Sequence, residues 1–188
     1  MVRWEPGAHE RLAEAALESY ATKGFDETTV AEIAQAAGVT ERTFYRYFAD
    51  KREVLFAGSA LLQQHFVDAI VAAPTDATPI EMVMAAVAAS AEFFPDERRA
   101  YSRRRFAVID SNPELAEREL RKMSTLAAAV ASALRDRGVA EPAATLAAET
   151  ARTVFHVSFG LWVAPGSVRD FAGIQRQVFA ELQGITAG

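Results

Sequence analysis

The stretch Thr28–Phe48, "TTVAEIAQAAGVTERTFYRYF", decides how this chain reads. Two short segments repeat apolar residues at three- and four-residue steps, and Gly38 parts them. Thr29, with Glu32 three residues on, makes the capping box that opens a helix. Gly38 stops that helix, and Thr40 can cap the next. On the second helix Phe44 and Phe48 lie one turn apart and mark a buried face. Arg42 and Arg46 stand on the opposite face with Thr43 beside them, and Tyr45 and Tyr47 flank the two sides. Two capped helices around a tight glycine turn form a helix-turn-helix, whose second helix enters the major groove of DNA. Arginine forks suit guanine and a threonine methyl suits thymine, while tyrosine hydroxyls and lysine ammoniums suit phosphates. The competing reading is a solvated amphipathic helix with incidental charges. Two tyrosines on a purely solvated face count against it.

Outward from this stretch, almost everything reads as helix. A first helix spans about Ala8 to Lys23 with Leu12, Ala16 and Tyr20 on one face, and Gly24 followed by Phe25 ends it. Asp50, with Glu53 three residues later, opens a fourth helix reaching about Val71. "APTDATP" (Ala73–Pro79) is a linker whose Thr78 caps a helix running to about Phe94. The basic run "ERRAYSRRRFAVID" follows, then Asn112 and Pro113 as an N-cap and N1 pair. Long helices are expected from Pro113 to about Arg137 and from Pro142 to about Ala164, with a last one over Ser167–Leu182. The expected fold is all-α with nine helices. A helix-turn-helix DNA-binding domain would occupy residues 1–50, and a ligand-binding and dimerisation domain residues 51–188.

Apolar residues make up 51% of the 188, enough for a sizeable core. The chain has no cysteine, which removes disulfides, thiolate metal sites and thiol nucleophiles, and which suits a reducing cytoplasm. No leader is expected in "MVRWEPGAHERL", which charges, Pro6 and Gly7 interrupt. No apolar run is expected to span a membrane. Net charge is −5, so any affinity for nucleic acid must be local. Between Thr40 and Arg52 four basic residues (Arg42, Arg46, Lys51, Arg52) face two acidic ones, Glu41 and Asp50. HExxH, G-x-S-x-G and phosphate-loop motifs are missing, and three scattered histidines do not make a metal cluster. Catalytic residues, metal and cofactor are therefore not expected.

"TTVAEIAQAAGVTERTFYRYFADKREVL" resembles the DNA-binding segment of the TetR family of transcriptional repressors, over roughly residues 8–56 and most specifically at "GVTERTFYRYFADK". The resemblance implies an all-helical homodimer that binds a palindromic operator and is released by a small inducer. It also implies that Thr29 bonds a phosphate, that Thr40, Arg42, Thr43 and Arg46 face bases or nearby phosphates, that Tyr45 and Tyr47 hold the backbone, and that Lys51 meets a further phosphate. Glu41 departs from this pattern, since a carboxylate there repels phosphate unless it accepts from cytosine or pairs with Arg42. The rival reading is a helical small-molecule carrier or enzyme whose first three helices merely pack.

In such proteins the last two long helices form the dimer interface. Here they carry Leu146, Val154, Phe155, Val157, Phe159, Leu161 and Trp162, then Phe171, Ile174, Val178, Phe179 and Leu182, more apolar surface than one domain face should need. Phe66, Met82, Phe94, Phe106, Met123 and Phe159 are the candidate walls of an effector pocket. His156, inside an apolar stretch, reads as a core or interface histidine and is a further pocket candidate. "RRRFAVIDSNPELAERELRKMSTLAAAV" resembles, less specifically, a subgroup binding acyl-CoA-like ligands. Arg98, Ser102 and Arg105, at helical spacing, would then meet an anionic head. The plainer alternative is that these arginines pair with nearby glutamates on a solvated face.

Overall fold

The computed structural model describes residues 7–186, so the opening residues Met1–Pro6 read against a leader lie outside it. Among the described residues there are nine α-helices, three short 3-10 turns and no strand: α1 Ala8–Thr22, α2 Val30–Ala36, α3 Glu41–Tyr47, α4 Ser59–Ala72, α5 Pro79–Ala89, α6 Arg99–Asp110, α7 Pro113–Asp136, α8 Ala143–Val163 and α9 Phe171–Thr186. The all-α fold is as expected.

Local chemistry sets most of the boundaries. Thr29 and Thr78 each form a capping box, with Glu32 and Glu81 respectively. The Asn112 side chain accepts from the backbone N–H groups of Glu114 and Leu115 and so caps α7. Gly38 takes φ +68° at the end of α2, where Val39 N–H reaches Ala34 O and Gly38 N–H reaches Gln35 O. That pattern satisfies two of the carbonyls a helix end leaves over.

Two expected boundaries are corrected. The helix expected from Asp50 to Val71 is a 3-10 turn, Glu53–Phe56, followed by α4 beyond Gly58. Val54, Leu55 and Phe56 are all buried. The last helix starts at Phe171 instead of Ser167, because Asp170 supplies its cap by accepting from Gly173 N–H at 2.7 Å. Val168 is left in the preceding loop, 87% exposed. The segment Glu53–Ala72 is also long and apolar enough, by length and composition alone, to cross a membrane, which the sequence reading did not expect. Its buried residues Leu62, Phe66 and Ile70 recur every fourth position, the pattern of a helix laid against a core.

The chain forms two compact units. One holds the chain up to Ala57 with Arg104–Glu119, the other Gly58–Arg103 with Leu120 onward, so α6 and α7 contribute to both. In the first unit Arg105 donates to Leu55 O at 2.6 Å and to Glu119, and Arg118 pairs with Glu53. In the second, rings of Phe66, Phe94, Phe155, Phe159, Trp162 and Phe171 pack with centroid separations from 5.1 to 6.3 Å. Arg103 donates to the carbonyls of Val163 and Ala164, and Arg137 to those of Val71 and Pro74. Arg103 thus satisfies carbonyls at the end of α8, and Arg137 one near the end of α4 and one just beyond it, so each guanidinium sits at a helix's negative end.

Candidate nucleic-acid interface

The first unit builds one surface from α1, α2 and α3. Leu12, Ala16 and Leu17 of α1, Ile33 and Ala34 of α2, and Phe44 of α3 are its buried centre. Arg11 ties α1 to the end of α2 by donating to Ala37 O at 3.2 Å. Phe44 is 0% exposed and Phe48 4%, with ring centroids 5.5 Å apart. The anchoring face of α3 is therefore the one expected.

The opposite face is open. Tyr45 is 56% exposed and Tyr47 41%, and Arg42 and Arg46 are exposed with them. Arg46 donates to the Tyr47 hydroxyl at 3.2 Å, and its guanidinium carbon lies 4.9 Å from that ring's centroid. This holds the Arg46 guanidinium over the Tyr47 ring. Thr40 caps α3 by accepting from Thr43 N–H, and the two hydroxyls are 3.1 Å apart. Glu41 is exposed on the first turn.

The other two expected contacts have other partners. Thr29 is exposed, yet its hydroxyl serves the capping box with Glu32. Lys51 is half-buried, and its ammonium donates to Phe25 O, Asp26 O and Thr28 O. Arg52 pairs with Asp50 at 2.7 Å. Arg42 and Arg46 are therefore the basic side chains of the Thr40–Arg52 segment that face outward without a carboxylate partner.

Two carboxylates at the helix starts are strongly held. The Glu32 carboxyl is drawn down to about 2, first by the Lys23 ammonium and then by the Thr29 N–H and hydroxyl. The Asp50 carboxyl is lowered by Arg52 first, then by the N–H groups of Glu53 and Arg52 that it caps. His9, which the sequence reading passed over, packs in the first turn of α1 with its ring centroid 5.0 Å from Phe48 and 5.9 Å from Tyr47. No periodicity could have shown this contact, since it joins residues on different helices.

In the second unit Phe66, Met82 and Phe159 are buried, Phe94 and Met123 half-buried and His156 exposed. Arg105 and Phe106 belong to the first unit. Ser102 is 5% exposed, and Arg98 is exposed with one contact to Phe93 O at 3.3 Å. Arg99 donates to Ser167 O and Asp96, and Arg104 to Glu14 and Glu18. The whole arginine run is engaged, more often with carbonyls than with carboxylates.

Of the expected interface residues, Val154, Phe155, Trp162 and Phe171 are buried within their own unit, as is Ile174. Val178, Phe179 and Leu182 are half-buried. Leu146 (64%), Val157 (42%) and Leu161 (48%) are the large apolar side chains that α8 exposes.

Residues 12–57 match the family of bacterial regulatory proteins, tetR family. The HTH-type transcriptional regulator TcmR of Streptomyces glaucescens is 34% identical over 77 residues, which is 41% of this chain and 34% of that protein. The HTH-type transcriptional regulator BetI of Rhizobium meliloti is 32% identical over 123 residues, 57% of this chain and 61% of that protein. The matches thus span less than two thirds of either relative. Among solved structures, Thermus thermophilus FadR, a TetR family transcriptional repressor in complex with lauroyl-CoA, has a TM-score of 0.52 at 25% identity, covering 93% of this chain and 92% of that one.

Proposed function

We propose that this chain, whose residues 12–57 match the tetR family of bacterial regulatory proteins, is a ligand-responsive transcriptional repressor that reads operator DNA with α3. The observation that carries this is the outward face of α3, where Arg42, Tyr45, Arg46 and Tyr47 are all exposed while Phe44 and Phe48 hold the helix from behind. Arg42, Thr43 and Arg46 are the side chains for base edges. Tyr45, Tyr47 and the helix-capping Thr40 suit phosphates. The protein works as a two-fold homodimer on a palindromic operator, with Leu146, Val157 and Leu161 of α8 supplying apolar surface that a partner copy covers. Its place is the cytoplasm, where operator DNA is.

The effector is largely apolar and acyl-CoA-like. The likeness to a FadR holding lauroyl-CoA supports this, as does the ring cluster around Phe66, Phe94 and Phe159. Within the second unit Arg98 is the exposed arginine of the run that could meet an anionic head. The effector must prefer the state that does not bind DNA, since equal affinity for both states shifts nothing. A mobility-shift assay with duplex from upstream of the protein's own gene, with and without lauroyl-CoA, tests the reading. We expect a shifted complex that lauroyl-CoA dissolves. A complex indifferent to lauroyl-CoA removes the effector assignment, and no complex with that duplex counts against regulation of its own gene.

A further inference from the structure

We propose that Lys51 is a positioning residue that locks the turn between α1 and α2, and that it makes no contact with a DNA phosphate. The inference rests on the DNA-binding reading above and reverses the role that family resemblance gives this lysine. A lysine ammonium has three donors and no acceptor. Here all three are spent, on Phe25 O at 2.8 Å, Asp26 O at 3.1 Å and Thr28 O at 2.9 Å. The same nitrogen lies 4.5 Å from the centroid of the Phe25 ring, so an aromatic face covers the charge as well.

The lock closes on itself. The Tyr20 hydroxyl, from α1, donates to Lys51 O at 2.6 Å, and the Tyr20 ring meets Phe25 at 5.2 Å. Tyr20 is 3% exposed. Gly24 turns the chain at φ +95°, and the buried Thr28 hydroxyl donates back to Gly24 O at 2.7 Å. The carbonyls of Gly24, Phe25, Asp26 and Thr28 are thereby all partnered, three of them by one ammonium. The residue that follows this turn is Thr29, the cap that starts α2, and α2 packs on α3. Moving Lys51 out to a phosphate would strip the Asp26 and Thr28 carbonyls of their donor and leave Phe25 O only the Thr28 N–H at 3.3 Å. Holding it in place fixes where α2 begins, and so where α3 is carried.

Salt dependence separates the two roles, because each phosphate contact releases counterions and adds about 0.9 to the slope of log affinity against log salt. The measurement uses full-length protein and a duplex selected by the parent from a random-sequence pool, titrated over a range of KCl. Lys51→Met keeps the stem over Phe25 and removes the donors. Tyr20→Phe removes only the hydroxyl that holds the Lys51 backbone, and it serves if Lys51→Met does not fold. We expect both variants to weaken binding about tenfold, along lines parallel to the parent's. A slope lower by about 0.9 in Lys51→Met, with Tyr20→Phe binding like the parent, would restore the phosphate contact and overturn the proposal; so would unchanged affinity in both. Amide hydrogen exchange of the DNA-free variants at Gly24–Glu32 gives an independent arm. Faster exchange than in the parent is expected, and equal rates overturn the lock. If the parent selects no duplex, the DNA-binding reading fails while the exchange arm still decides the lock.

Discussion

The Lys23 ammonium lies 2.5 Å from the Glu32 carboxylate, joining the end of α1 to the first turn of α2. Glu32 also accepts from the Thr29 N–H at 2.9 Å, so one carboxylate closes a cap and an ion pair together. Its folded-state value is drawn from 4.5 down to about 2. The unfolded chain therefore takes up this proton first on acidification. The stabilisation is fully present above about 4.5 and is lost as pH falls towards 2. We expect Glu32→Gln to flatten the dependence of the urea midpoint on pH in that window. A curve parallel to the parent's would show that the pair does not form in solution.

Ser158, in the middle of α8, is 0% exposed and its hydroxyl has no hydrogen-bond partner. A desolvated hydroxyl left unpaired costs on the order of 1–3 kcal/mol. Ser158→Ala should therefore raise stability by about 1 kcal/mol, read as a higher midpoint in urea. A loss of stability would mean that the hydroxyl has a partner in solution.

Arg103 and Arg98 lie on the same basic run, yet their expected effects differ. Arg103 holds two carbonyls at the end of α8 at 2.7 and 3.1 Å, whereas Arg98 holds one at 3.3 Å while exposed. Arg103→Met should cost roughly 1.5–3 kcal/mol, the range for hydrogen bonds from a charged group. Arg98→Met should stay within about 0.5 kcal/mol of the parent, as exposed sites do. Chemical denaturation of the two variants side by side checks this, and equal effects would contradict it.

Leu161 is 48% exposed on α8, with Val157 and Leu146 on the same side. If a partner copy covers this stripe, Leu161→Glu buries a charge against apolar side chains, and sedimentation should show the dimer giving way to single chains at micromolar concentration. A parent that sediments as one chain at that concentration would remove the homodimer.

Much of this was legible in the sequence because it is local. Thr29 with Glu32, Thr78 with Glu81, and Asn112 before Pro113 each carry their cap within a few residues, and Phe44 with Phe48 shows the buried face of α3 by spacing alone. Partners far along the chain were not legible. Nothing near Arg103 announces the Val163 carbonyl 60 positions away, and nothing near Lys51 announces the turn carbonyls it holds. The split of the apolar surplus on α8 between core and surface is likewise not written in its spacing. Val154, Phe155 and Trp162 face the core made by α5 and α9, and only Leu146, Val157 and Leu161 remain outside.

The exposed arginines of α3 test the DNA-reading claim most directly. Fluorescence anisotropy with the duplex selected by the parent, compared with a scrambled duplex of equal length and charge, measures sequence-specific affinity. The double variant Arg42→Ala, Arg46→Ala leaves the buried Phe44 and Phe48 in place and should stay folded. We expect it to lose about 1–3 kcal/mol of discrimination for each base contact removed, binding both duplexes alike. A double variant that prefers the selected duplex as strongly as the parent does would contradict the assignment of α3 as the reading helix.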